Sequence, residues 1–101
     1  MKALIIVARD YLLGELEELL HKNGISAYTV LSNVQGTGES GRVHGTFLSP
    51  AINSLIFAVV PSDQADRAVS ALKALHAGRV KAVHGEPDPL KVFSFPCEEH
   101  I

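Results

Sequence analysis

The sequence has 101 residues, of which 47% are hydrophobic and 20% are charged, and its formal net charge is −2. These proportions are typical of a globular protein and exclude a disordered chain, and the length predicts a single domain spanning residues 1–101. No excess of lysine and arginine is available to neutralise the phosphates of a duplex, so the composition argues against nucleic-acid binding.

Cysteine content and the lengths of the apolar runs predict the compartment. Cys97 is the only cysteine, which rules out an intramolecular disulfide and favours a reducing environment. No apolar run approaches the roughly 18 residues that a membrane-spanning helix needs. We therefore expect a cytoplasmic protein without membrane insertion.

The first third of the chain predicts a strand, a helix and a second strand. Ala3 to Ala8 is a short apolar run rich in isoleucine and valine, which is typical of a central strand. Asp10 offers an N-cap oxygen, leucines then recur at helical spacing, and Gly24 lies where a left-handed C-terminal cap belongs. These signals predict a helix at about residues 11–23. Ser26 to Val34 has the composition of a strand.

Glycines and serines mark the next segment. Gln35 to Pro50 holds four glycines and predicts either a long loop or a hairpin with a mobile tip. A loop of this length inside a compact domain is usually functional. Ser54 to Val60 is the next apolar strand, and Pro61 to Asp63 is a helix-start signal.

The last third predicts a second helix and a final strand. Gly78 predicts the end of the helix, and residues 79–83 either extend it or form a short edge strand. Residues 85–89 predict a loop, and Leu90 to Phe95 alternates as a strand does. The order predicts an α+β, ferredoxin-like βαββαβ fold: a four-stranded antiparallel sheet with two helices on one face and a long glycine-rich loop between strands 2 and 3.

Helices on one side of a sheet leave its other side uncovered. The strands carry more large apolar side chains than the helices can cover: Tyr28, Val30, Phe57, Val59, Phe93 and Phe95. An apolar face larger than a few hundred Å² usually marks an interface. The sequence therefore predicts that the chain assembles with copies of itself.

Two stretches resemble the PII nitrogen-regulatory proteins. Val34-Gln35-Gly36-Thr37-Gly38-Glu39-Ser40-Gly41 is similar to the Val-Lys-Gly-x-Gly-x-x-x-Gly start of the T-loop in that family, and Leu90 to Glu99 is similar to its last strand. Asn33-Val34 before the glycines and Asn53-Ser54 at the third strand are similar to short PII-like proteins. The sequence is identified as a short, divergent member of the family with a T-loop-like segment at about residues 35–52.

The resemblance implies a function. PII proteins are homotrimers that bind adenine nucleotides in clefts between subunits, and their T-loop reports the bound state to a regulated protein such as a transporter or an enzyme. The chain is therefore expected to be a non-enzymatic regulator whose small-molecule effector is an adenine nucleotide (ADP, AMP or ATP) or another anion.

Matching positions imply the ligand-binding residues. Lys91 matches the phosphate-contacting lysine of the family, and Thr29 lies near the strand position that contacts adenine. Glycines at the base of the T-loop let the backbone approach a phosphate and present its N–H groups. The predicted ligand-binding set is Thr29, Gly36, Thr37, Gly38, Ser40 and Lys91.

Two departures from the family pattern bear on the ligand. The turn before Lys91 reads Asp88-Pro89-Leu90 rather than Gly-Asp-Gly, and proline removes a backbone donor there. Glu39 stands where the family often has a basic residue, and its charge repels phosphate. Both departures favour weaker nucleotide binding, or a different small anion.

A metal-binding or metal-responsive accessory protein on the same fold is the alternative function. Thiolate, carboxylate and imidazole groups follow the last strand: Cys97, Glu98, Glu99 and His100. Further ligands would come from His44, His76 or His84. The spacing matches no strong zinc signature. A small enzyme ranks last, because the sequence holds no acid–base or nucleophile constellation.

Overall fold

A computed structural model of the chain describes residues 1–35, 37–38, 41–42, 52–82 and 89–101. Its elements in chain order are β1 (Lys2–Arg9), a 3-10 helix (Asp10–Leu12), α1 (Leu13–Lys22), β2 (Thr29–Val34), β3 (Thr37–Gly38), β4 (Gly41–Arg42), β5 (Asn53–Val60), α2 (Ser62–Ala82) and β6 (Leu90–Pro96). Among these residues, no helix combines the length and the hydropathy that crossing a bilayer requires.

The four long strands form one antiparallel sheet in the order β2-β5-β1-β6. β1 is central, as its apolar composition predicts, and it pairs with β5 on one side and β6 on the other. β2 and β6 are consequently the two edge strands. With α1 and α2 packed on one side of this sheet, the predicted ferredoxin-like βαββαβ fold is confirmed.

Alternation along the strands places every second side chain under the helices. On β1 these residues are Leu4, Ile6 and Ala8, which are buried together with Leu16 of α1 and Leu72 of α2. Burying one leucine or isoleucine side chain contributes roughly 1.5–3 kcal/mol to stability. Apolar burial therefore holds both helices on the sheet.

The chain enters α1 differently from the prediction. Asp10 does not cap the helix: a 3-10 turn precedes α1, and no side chain caps the N-terminus of either segment. The Asp10 carboxylate instead accepts a hydrogen bond from Ser54 Oγ at 2.7 Å, and its backbone N–H donates to the carbonyl of Ile52 at 2.8 Å. The predicted N-cap is wrong because the buried Ser54 hydroxyl uses the carboxylate.

The end of α1 confirms the predicted glycine cap. Gly24 has φ +83°, a left-handed conformation that glycine adopts without steric cost. Its N–H donates to the carbonyl of His21 at 3.0 Å, and the N–H of Ile25 donates to the carbonyl of Leu20 at 2.9 Å. This pair of bonds is a Schellman motif, and it delivers the side chain of Ile25 into the core.

The predicted end of α2 at Gly78 is wrong, since the helix continues to Ala82 and takes the helical alternative for residues 79–82. Glycine costs a helix only about 1 kcal/mol relative to alanine. Contacts on both sides of Gly78 stabilise the helix enough to offset this cost. Leu75 packs against the core, and Arg79 Nη1 pairs with Glu15 Oε2 of α1 at 3.3 Å. Of the loop predicted at 85–89, residues 85–88 lie outside the described residues.

β2 begins at Thr29 rather than at the predicted Ser26, and it ends in a bulge. Leu31 lies opposite Leu55 and Val34 opposite Asn53, so β2 holds one residue more than β5 over this interval. Asn33, inside the bulge, has φ 57°, which asparagine tolerates better than most residues. The bulge turns the chain just before the glycine-rich segment.

Candidate functional site

The side of the sheet away from the helices is uncovered, and we call it the open face. Residues that lie directly opposite each other share a face, so the strand register defines its members. They are Ala3, Ile5, Val7, Arg9, Thr29, Leu31, Val34, Asn53, Leu55, Phe57, Val59, Lys91, Phe93 and Phe95.

Large apolar side chains dominate the open face. Four of them are substantially exposed: Leu31 by 47%, Phe57 by 38%, Phe93 by 54% and Phe95 by 43%. Of the six apolar residues singled out in the sequence, Tyr28 and Val30 pack against the core under the helices, whereas the three phenylalanines lie on the open face. The prediction that the helices cannot cover all six is confirmed.

Thr29 and Lys91, two members of the predicted ligand-binding set, both lie exposed on the open face. They occupy opposite edges of the sheet, Thr29 on β2 and Lys91 on β6, with β5 and β1 between them. Three strand spacings of about 4.8 Å separate those edges by about 14 Å. A single chain therefore does not bring the two side chains together around one small ligand.

The structure describes two short strands in the glycine-rich segment, β3 and β4, and they pair with each other. Thr37 lies opposite Arg42 and Gly38 opposite Gly41, so β3 and β4 form a narrow antiparallel ribbon shortly after β2. This ribbon agrees with the hairpin alternative of the sequence prediction. It places Thr37 and Gly38 of the predicted set on one strand, while Gly36 and Ser40 lie outside the described residues.

One end of the open face carries the strand ends nearest the glycine-rich segment. β2 ends there and β5 begins there, and Arg9 is the last residue of the neighbouring strand β1. Arg9 Nη1 donates a hydrogen bond to Asn53 Oδ1 at 3.2 Å, and Asn53 lies opposite Val34, the last residue of β2. Sequence reasoning missed Arg9, although its spacing from Ile5 and Val7 in the alternating strand predicts the shared face.

On the helix side of the sheet, Tyr28 connects the start of β2 to α1 through hydrogen bonds. Its hydroxyl donates a hydrogen bond to Glu17 and lies 3.2 Å from His21 Nε2. The hydrogen bond to the Glu17 carboxylate, followed by desolvation and by that carboxylate's charge, raises the pKa of Tyr28 to about 12. This cluster fixes Tyr28, which directly precedes Thr29, the first residue of β2.

The candidate metal ligands after β6 do not converge on one point. Cys97 is half-buried and its backbone N–H donates to the carbonyl of Met1 at 3.1 Å, while His100 Nε2 lies 3.6 Å from Glu98 Oε2. Within the described parts of the chain, no three His, Cys, Asp or Glu side chains are grouped as a metal ion requires. His44 and His84 lie outside the described residues.

Known proteins share this architecture. The family model for nitrogen regulatory protein P-II matches residues 1–100. CPII from Thiomonas intermedia K12, solved bound to ADP and bicarbonate, is 21% identical with a TM-score of 0.64, over 93% of this chain and 84% of CPII. CPII bound to ADP, AMP and bicarbonate is 22% identical with a TM-score of 0.63, over the same shares of the two chains. A PII-like signaling protein from Thermus thermophilus is 19% identical with a TM-score of 0.66, over 93% of this chain and 83% of its own.

None of the curated proteins matched the sequence. The solved structures share the fold at low identity, and the family model spans nearly the whole chain. The chain belongs to the nitrogen regulatory protein P-II family.

Proposed function

We propose that this chain is a non-enzymatic, cytoplasmic PII-like regulator that senses an adenine nucleotide or a related anion at clefts between the subunits of a homotrimer. The observation that carries the proposal is the placement of Thr29 and Lys91. Both lie on the open face but at opposite edges of the sheet, so a site that uses both needs two chains.

The same placement favours a ring. When the β2 edge of one chain meets the β6 edge of the next, two different surfaces form each contact. Such head-to-tail contacts close into a ring when the rotation permits, and three copies make the smallest ring beyond a dimer. The exposed phenylalanines of the open face supply the apolar surface that such an assembly would bury.

The ligand follows from chemistry and from the relatives. CPII is solved with ADP and bicarbonate, and with ADP, AMP and bicarbonate. Lys91 offers a cation for phosphate, and the glycine-rich segment offers backbone N–H groups. The proposed ligand-binding residues are Thr29, Gly36, Thr37, Gly38, Ser40 and Lys91.

The output is proposed to pass through the glycine-rich segment at residues 35–52. It leaves β2 through the bulge at Asn33, next to the proposed site, so ligand occupancy can change which surface the segment presents to a partner. A transporter or an enzyme is the kind of regulated partner we propose.

Thermal unfolding with added ligands tests the function. A ligand that binds only the native state raises the melting temperature. ADP, AMP or ATP should raise it in the wild type and lose that effect in Lys91→Ala. The control variant Lys73→Ala removes another exposed lysine, from α2, and should respond as the wild type does. A large shift with zinc or copper and none with any adenine nucleotide would favour the metal-binding alternative and reject the regulator proposed above.

A further inference from the structure

We propose that the groove between α2 and the edge strand β6 is a second ligand site, which binds a small apolar carboxylate through Lys73 and His76. The groove lies on the helix side of the sheet, whereas the nucleotide site proposed above uses the open face. Occupancy of the groove therefore goes beyond the proposed function and does not depend on it.

The groove exists because the helical layer covers the centre of the sheet better than its β6 edge. On the central strand β1, Leu4 and Ile6 are each 1% exposed. Their partners across the β1–β6 register are Ser94, which is exposed, and Val92, which is half-buried. β6 is the last strand on its side of the described sheet, so the sheet does not continue beneath the outer part of α2. A gap between the helix and the edge strand is the result.

Apolar side chains form the walls of this groove. Val69 and Leu72 line it from α2, and Leu90 and Val92 line it from alternate positions of β6. Its volume is about 190 Å³. An apolar cavity of about 150 Å³ can hold a benzene molecule, whereas drug-sized ligands occupy about 300–1,000 Å³. The space therefore fits one aromatic ring or a short branched chain and is too small for a nucleotide.

Two basic side chains border the groove. Lys73 and His76 are three residues apart on α2, a spacing that makes them neighbours on the helix surface. Neither makes a hydrogen bond or an ion pair with another described residue. Ser94 adds a hydroxyl from β6, and the described residues that line the groove include no carboxylate. Charge complementarity therefore selects an anion.

A carboxylate attached to an apolar body matches both parts of the groove. The body removes the exposed parts of the apolar walls from water. The carboxylate accepts a charged hydrogen bond from Lys73 Nζ and a second bond from His76, whose ring carries an N–H donor in both protonation states. The aliphatic stem of Lys73 can lie along the apolar wall while its ammonium group stays in water.

Nuclear magnetic resonance of the isotope-labelled wild-type chain tests the proposal, with benzoate, benzyl alcohol and acetate as probes. Benzoate carries a ring and a carboxylate, benzyl alcohol only the ring, and acetate only the carboxylate. Benzoate should shift the amide signals of residues 69–76 and 90–94 until they saturate. Benzyl alcohol should bind there more weakly, and acetate should leave these signals unchanged. No saturable shift with millimolar benzoate, or an equal response to acetate, overturns the proposal.

Lys73→Ala separates the contribution of the charge from that of the apolar walls. Exposed charged contacts are worth less than buried ones, so this variant should weaken benzoate by about 2- to 10-fold and leave benzyl alcohol unchanged. Lys22→Ala removes an exposed lysine from α1 and is the matched control, which should bind benzoate as the wild type does. Wild-type affinity for benzoate in both Lys73→Ala and His76→Ala overturns the proposal.

Competition with ADP keeps the groove separate from the proposed nucleotide site. Saturating ADP should leave the affinity for benzoate unchanged, because the two sites lie on opposite sides of the sheet. Displacement of benzoate by ADP assigns the probe to the nucleotide site and overturns the proposal. A wild type that binds benzoate in the groove but binds no adenine nucleotide overturns the proposed function and leaves this second site intact.

Discussion

The two faces of the sheet come from the same four strands, yet they differ in what they carry. The helix side holds aliphatic residues of matched size, such as Leu4, Ile6 and Ile56, and α1 and α2 cover it. The open face holds exposed phenylalanines and two cations at one end. The covered face accounts for the stability of the single chain, whereas the open face is the surface that we propose for assembly and ligand binding.

The largest expected effect is on stability, and it distinguishes the two faces when the same substitution, leucine to alanine, is made on each of them. Leu72→Ala on the covered face should lower the free energy of unfolding by about 2–5 kcal/mol, because it leaves a cavity in the core. Leu31→Ala on the open face should cost the isolated chain under about 1 kcal/mol, since nearly half of Leu31 is exposed. Urea unfolding at low protein concentration measures both. Equal losses would break the distinction between the faces.

The next effect concerns assembly. Phe93→Ser removes an exposed aromatic side chain from the β6 edge of the open face, and we expect the variant to run as a monomer while keeping the wild-type circular dichroism. Tyr11→Ser, which alters an exposed aromatic residue outside the sheet, should remain assembled. Light scattering at micromolar concentration measures the masses. A wild type that is itself a stable monomer would count decisively against the trimer.

Two glycines in the helical layer should respond to alanine with opposite signs. At Gly24 the positive φ disfavours alanine by about 1–2 kcal/mol, and a Cβ there would lie 2.8 Å from Gln64 Nε2. At Gly78, inside α2, a Cβ meets nothing within 4 Å, so alanine should stabilise the chain by about 0.4–1 kcal/mol. Thermal unfolding gives both signs. A destabilised Gly78→Ala would contradict the helix across that residue.

The smallest effect is a pH dependence at the α1–β2 contact. Because the folded pKa of Tyr28 is raised from 10.0 to about 12, its stabilising contribution is complete below pH 10 and is lost as the pH rises through 12. Ultraviolet titration of a Tyr11→Phe background isolates the Tyr28 phenol. Glu17→Gln should bring its pKa down toward the usual value, and an unchanged pKa in that variant would remove Glu17 as the cause.

Periodicity was sufficient to predict the fold. The alternation of β6, the leucines of α1 and the glycine cap at Gly24 all fall where the sequence places them. Errors arose where a local preference of about 1 kcal/mol competes with tertiary contacts. Gly78 failed to end α2 because neighbouring residues hold the helix, and Asp10 failed to cap α1 because Ser54 takes its carboxylate.

The site was less predictable than the fold, for a geometric reason. The family resemblance indicates Thr29 and Lys91 separately, but only the strand order places them at opposite edges of one face. Arg9 likewise joins the open face only through the β1–β5 register, which sets it opposite Asn53. Long-range pairing of this kind has no signal in the local sequence. The ligand-binding roles of all six residues stay predictions: Thr29, Gly36, Thr37, Gly38, Ser40 and Lys91.

Subunit complementation tests the central claim, that Thr29 of one chain and Lys91 of another form one site. Thr29→Leu and Lys91→Ala chains, each expected to lose ADP binding alone, are co-expressed with different tags, and assemblies that carry both tags are purified. A mixed head-to-tail trimer restores about one site in three, because a single contact of the ring joins two intact edges. ADP binding at about a third of the wild-type stoichiometry is the expected result. No recovery in verified mixed assemblies, or full ADP binding by either single variant, would contradict the account.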